Sequence, residues 1–176
     1  MKHKLTKQDI KEIQEELDYR KLVVRPQALE EVKETRAHGD LSENFEYHEA
    51  KKVKNRNDGR IRYLERMLKT SEIMEEDTSD DRAGVNKTIT VYIPEDDVEE
   101  IYTLVSTMRE NPMKGLISVE SPMGKALLGK RAGDTSTVRV NKDYSYAVEI
   151  RKVEITDAAE KSRIRKYSVF KVFGNK

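Results

Sequence analysis

The chain reads as a mixed α+β protein in two parts: a long antiparallel helical hairpin, then a small α+β domain with an antiparallel sheet. Three observations predict this. Apolar residues recur at 3,4 spacing in two long stretches on either side of a short acidic turn at 39–43. A polar, acidic segment without period follows at 75–86. Beyond it the pattern changes to short β-branched runs.

Composition agrees with an extended helical part. Charged residues make up 38% of the 176 and hydrophobic ones 36%, so surface per residue is large. Net charge is +1, from 34 basic and 33 acidic residues, and bulk charge therefore predicts no nucleic-acid binding. The absence of cysteine excludes disulfides and thiolate metal sites and fits a reducing cytosol. No run approaches the roughly 20 apolar residues of a membrane span, and no signal segment opens the chain, so a cytoplasmic protein without membrane contact is expected.

Thr6 is the expected N-cap of the first helix, with Asp9 as the capping-box acid. Ile10, Ile13 and Leu17 continue the stripe, and Leu29 and Val32 resume it after Pro26. Because proline lacks a backbone donor, a break or kink with a helix restart is predicted near Val24–Pro26. On the second helix Ala50, Val53, Asn57, Ile61, Leu64 and Leu68 form one stripe, with Gly59 a flaw of about 1 kcal/mol. Two helices of about 30 residues would each be about 45 Å long, and such narrow stripes suit a two-stranded coiled coil.

The predicted organisation is a hairpin over 1–75 with its acidic tip at 39–43, a linker over 76–86, a sheet domain over 87–156 and a basic extension over 157–176. Strands are expected at 88–93, 101–105, 116–119, 135–140 and 144–155, with one short helix at 122–128. Residues 161–176 hold six basic residues and no acids, and are expected to add electrostatic contact with a partner.

Two carboxylates, Asp40 and Glu43, stand in the turn between the helices. Their spacing equally suits a capping box for the second helix, with Ser42 as a competing cap. Phe45 and Tyr47 could stack on a base, although packing against the opposite helix is the default expectation. His38 and His48 are expected to shape the tip through hydrogen bonds. Over 51–69 eight Lys or Arg face only two acids, Asp58 and Glu65, a charge excess able to hold an RNA backbone without reading its sequence. Lys52, Lys54, Arg56 and Lys69 could equally be a solvated helix face.

Three blocks carry a family resemblance: RAHGDLSENFEYHEAK at 36–51, GRIR at 59–62 and ISVESPMGKALLGKRAGD at 117–134. The chain resembles the bacterial Gre transcript-cleavage factors of GreA type over roughly residues 5–155. The resemblance implies an N-terminal antiparallel coiled coil and an FKBP-like C-terminal domain that docks on RNA polymerase. It implies a factor that is not itself an enzyme: it enters the secondary channel and stimulates polymerase to cleave the RNA 3′ end of backtracked complexes. Asp40 and Glu43 match the family's catalytic acids, which share a Mg²⁺ ion with polymerase; the isolated protein is expected to bind none tightly. Arg36 and Lys51 match the RNA-contacting basic patch, with Lys51 where arginine is common. Gly39, Ser42, Asn44 and Tyr47 match the tip, and Ser121, Pro122, Gly124 and Gly129 the docking hallmark. The implied partners are polymerase core or elongation complex and the nascent RNA 3′ end, with the factor a monomer.

Two other functions are compatible with a chain of this kind. One is a regulator of the same fold that occupies the channel and inhibits; the other is a coiled-coil adaptor or chaperone unrelated to transcription. An isomerase reading is disfavoured: the C-terminal half has no Trp, and its only Phe residues are Phe170 and Phe173 in the basic extension.

Overall fold

A computed structural model describes residues 3–39, 44–75, 78–79 and 81–155. They fall into two compact units: a helical one spanning 10–71, and a sheet unit made of 3–9 together with the residues after 71. The protein is thus a mixed α+β chain with a helical N-terminal region.

The first helical arm comprises α1 (Lys7–Tyr19), a π-helical turn (Arg20–Val24) and α2 (Arg25–Arg36). Its start is the predicted capping box: Thr6 Oγ1 accepts from Asp9 N at 3.1 Å, and Asp9 Oδ2 accepts from Thr6 N at 2.8 Å. The predicted break or kink near Val24–Pro26 takes the form of a π-helical turn followed by a new α-helix, with no gap in the helical backbone. Val24 and Arg25 both keep right-handed helical angles, and Arg25 N–H donates to the Arg20 carbonyl five residues back. A widened turn therefore leads straight into Pro26, which has no N–H to offer and sits in the first turn of α2.

The second arm is α3 (Phe45–Thr70). It runs antiparallel to the first, because Lys21 meets Glu65, Arg25 meets Asp58 and Thr35 meets Asn44. Ile13, Leu17, Val24, Ala28 and Thr35 are buried on the first arm, and Ala50, Asn57, Ile61, Leu64 and Met67 on the second. The expected stripe holds along α3, with Met67 in place of Leu68. On α2 it is displaced: Leu29 is 40% exposed while Val24 and Ala28 are buried.

A polar cluster interrupts this apolar interior. Glu16 Oε1 accepts from Arg20 Nε at 2.7 Å and from Arg60 Nε at 3.1 Å, and Arg60 Nη2 reaches Glu16 Oε2 at 3.1 Å. Arg20 Nη1 donates to Asn57 Oδ1 at 3.1 Å. Burial raises the Glu16 pKa, but hydrogen bonds and charge from Arg60 and Arg20 outweigh it and hold the carboxyl below its ordinary value.

In the sheet unit, β1 (His3–Leu5) pairs with β2 (Ser71–Ile73). The main sheet contains β3 (Lys87–Ile93), β4 (Val98–Val105), β5 (Leu116–Ser118), β6 (Thr135–Arg139) and β7 (Ser145–Ile155), in the order β5-β4-β3-β7-β6. The expectation of a purely antiparallel sheet needs one correction. β5 lies parallel to β4, pairing Thr103 with Leu116 and Val105 with Ser118. Two 3₁₀ turns, Thr107–Arg109 and Pro112–Lys114, carry the chain back before Gly115 (φ +68°) redirects it into β5.

Period-2 burial along β3 sends Ile89, Val91 and Ile93 into a core shared with Leu104, Val138, Val148, Ile150 and α4 (Pro122–Leu127). Part of the segment expected to be a linker also belongs to this core. Ala83 and Val85 are buried in it, and Ala83 N donates to the Lys130 carbonyl at 2.7 Å. The N-terminal residues are equally integral: Leu5 is fully buried, and Asp9 pairs with Arg109 at 2.5 Å out of contact with solvent. No helix among the described residues is long and apolar enough to cross a membrane.

Candidate functional site

The sequence directs attention to two places, the turn between the helical arms and the run at 117–134. At the first, α2 ends on Arg36, with Ala37 N donating to the Lys33 and Glu34 carbonyls at 3.3 and 3.1 Å. Gly39 takes φ +124°, and nothing lies within 4 Å of where its Cβ would stand. Its role is therefore conformational: the chain leaves α2 through a backbone state that only glycine adopts freely. Asp40, Ser42 and Glu43 lie outside the described residues.

Chain geometry resumes at Asn44, whose side chain makes both of its bonds to backbone. Oδ1 accepts from Tyr47 N at 2.9 Å and caps α3, while Nδ2 donates to the Thr35 carbonyl at 2.7 Å on the opposite arm. The cap is therefore Asn44, not the Asp40 or Ser42 of the alternative capping-box expectation. Asn is a preferred capping residue immediately ahead of the helical stripe, so a signal for it was present in the sequence. Its second bond, across the arms, had none. One amide thus clips the two helices together at the residue that follows Glu43 in the sequence.

Around this clip the predicted groups fall into two sets. Arg36 and Lys51 are exposed, and Lys51 Nζ lies 5.9 Å from the centre of the half-buried Tyr47 ring. Tyr47 also meets the His48 ring edge-on at 5.6 Å between centres. His38 Nδ1 stands 3.7 Å from Glu46 Oε2, both side chains being exposed. Phe45 does not pack against the opposite helix: 87% of it is exposed. Further along α3 the basic excess is partly answered, since Lys54 meets Asp58 at 3.2 Å and Arg60 meets Glu16 at 3.1 Å.

At the second place, three of the four residues shape the turn from β5 into α4, and the fourth, Gly129, follows α4. Ser121 caps α4, accepting from Gly124 N at 3.0 Å while its hydroxyl donates to the Ser118 carbonyl at 2.6 Å. Pro122 occupies the first turn, where no N–H is required. Gly124 is demanded by packing: a Cβ there would stand 2.0 Å from the Ser118 carbonyl oxygen. Gly129 takes φ +78° and donates its N–H to the Ala83 carbonyl at 2.7 Å. Beside the turn Thr107 Oγ1 donates to Glu120 Oε2 at 2.6 Å and accepts from Ser118 Oγ at 2.9 Å, a polar cluster that the sequence did not single out.

Among the described residues no group of three or more His, Asp or Glu side chains could hold a metal ion. The carboxylate pair at Asp40 and Glu43 offers hard oxygen ligands of the type magnesium takes. Two such groups are too few for a complete shell.

Similarity to known proteins spans both units. Residues 3–73 match the family described as "Transcription elongation factor, N-terminal", and 78–155 the family described as "Transcription elongation factor, GreA/GreB, C-term". A Transcription elongation factor GreA of Thermoanaerobacter pseudethanolicus is 45% identical over 137 residues, covering 77% of this chain and 87% of its own length. That of Streptococcus pneumoniae serotype 19F is 39% identical over 153 residues, covering 86% and 95%. The solved GreA factor homolog 1 of Thermus thermophilus covers 88% of this chain and 99% of its own, at 25% identity and a TM-score of 0.42. The chain belongs to the GreA/GreB family of transcription elongation factors.

Proposed function

We propose that this protein is a transcription elongation factor that binds bacterial RNA polymerase and stimulates it to cleave the 3′ end of the RNA in backtracked complexes. The observation that carries the proposal is an intact acidic pair, Asp40 and Glu43, in the inter-helical turn of a chain 45% identical to a GreA factor. The antiparallel helices act as a coiled coil that enters the secondary channel, and the sheet unit, FKBP-like in fold, docks outside it. Hydrolysis belongs to the polymerase active centre, so the factor is not an enzyme by itself.

Each group then has a task. Asp40 and Glu43 would hold a Mg²⁺ ion jointly with polymerase; bound there, the ion supplies charge stabilisation for phosphodiester hydrolysis. Arg36 and Lys51 hold the extruded RNA backbone through charge, without reading sequence. The Asn44 clip keeps the arm ends from splaying, so the carboxylates arrive on a fixed base. Ser121, Pro122, Gly124 and Gly129 give the docking surface its shape, and the factor works as a monomer, one per channel. The intact acidic pair is what separates this function from that of an inhibitor in the same channel.

The test is direct. A backtracked elongation complex carrying labelled RNA, incubated with the protein and Mg²⁺, is expected to release short 3′ fragments and resume synthesis on adding nucleotides. RNA of unchanged length after prolonged incubation refutes the proposal.

A further inference from the structure

Phe45 has no role in the fold. The cap belongs to Asn44, position 45 is the first residue of α3, and the ring leaves 87% of its surface in solvent. Neither capping nor helix propensity calls for phenylalanine there; one exposed ring means little by itself, and its neighbours decide what it can do.

The surroundings indicate what that use is. At about 100° per residue, Lys52 and Arg56 fall within about 20° of the line that runs from Phe45 along α3, about 10 and 16 Å further on. Both are exposed, as is His48 about 60° to one side. Glu49 on the same face meets Lys52 at 3.6 Å, a solvent-exposed pair of little strength. An aromatic ring at the head of a row of cations matches the way proteins hold single-stranded nucleic acid: charge follows the phosphates and the ring stacks on a base.

We propose that Phe45 is a stacking platform for an unpaired base of the extruded RNA, whose backbone runs along Lys52 and Arg56. This rests on the function proposed above and adds a contact to it. Every base has a flat face, so the platform holds the strand without selecting sequence.

The experiment uses full-length protein and a backtracked complex whose RNA ends in 2-aminopurine. It is run in an Asp40→Ala background so that the RNA stays whole. Stacking quenches the probe, so Asp40→Ala alone is expected to reduce its fluorescence. Adding Phe45→Ala or Phe45→Leu is expected to abolish the quench and raise the half-saturating concentration about tenfold. Undiminished quenching by the double variants overturns the proposal. So does a Leu variant that binds as tightly as Phe in a gel shift, because the ring would then be filling an apolar pocket of polymerase. Failure of every variant to shift the complex is a different result, and it removes the functional proposal along with this one.

Discussion

Gly124 shows how a single atom constrains the hallmark run. The Cβ of an alanine there would lie 2.0 Å from the Ser118 carbonyl oxygen and 2.9 Å from Val119 Cα, both backbone atoms. That carbonyl cannot swing away freely, because it accepts from Ser121 N at 3.0 Å and Ser121 Oγ at 2.6 Å. Gly129 differs: its φ is +78°, and nothing lies near its absent Cβ. Gly124→Ala is therefore expected to cost about 3 kcal/mol and Gly129→Ala about 1 kcal/mol, with urea denaturation as the measurement. Equal costs would mean that conformation, not packing, explains both glycines. The sequence placed both glycines in the hallmark run at 117–134. What it could not carry is the close approach at Gly124, which depends on where the end of β5 lies.

At the scale of elements, the π-helical turn accounts for the register of the buried stripe on the first arm. Buried positions 13, 20, 28 and 35 on the first arm are spaced by seven, eight and seven residues, whereas 50, 57 and 64 on α3 are spaced by seven throughout. The arm thus carries one residue too many for its heptads, and the widened turn at Arg20–Val24 absorbs it. Counting 3,4 steps on from Ile13 and Leu17 without that extra residue gives 27 and 34, one short of the buried Ala28 and Thr35. Deleting Leu22, which is 76% exposed, is expected to restore a plain α-helix with its flanking faces in register and to change the melting temperature by less than about 3 °C. Deleting Glu30, beyond the turn, moves Thr35 off the seam and is expected to lower it by more than about 8 °C. Circular dichroism melts of the two variants decide between them; equal losses would show that the turn does not set the register.

For the whole molecule, the order of elements was legible from the change in period, and every predicted strand of the C-terminal half appears within a few residues of its place. The limits of the units were less legible. Residues 3–9 read as the start of a helical arm, yet β1 pairs with β2, and Asp9 is buried against Arg109 one hundred residues away. Such a pairing leaves no local pattern: Asp9 satisfies a capping box whether or not an arginine also reaches it. At the inter-helical turn the sequence was legible in another sense. It marked Asp40 and Glu43 as a carboxylate pair in the turn between the helices, and the structure adds the Asn44 clip and the exposed Phe45 that follow them in the sequence.

The central claim is that those two carboxylates complete an active centre on another molecule. Its most direct measurement is the rate of RNA 3′-fragment release from a backtracked complex at saturating factor, for wild type, Asp40→Ala and Glu43→Ala, with complex binding followed in parallel. Each variant is expected to bind within about threefold of wild type and to lose at least about a hundredfold in cleavage rate. Cleavage at the wild-type rate by either bound variant would contradict the claim.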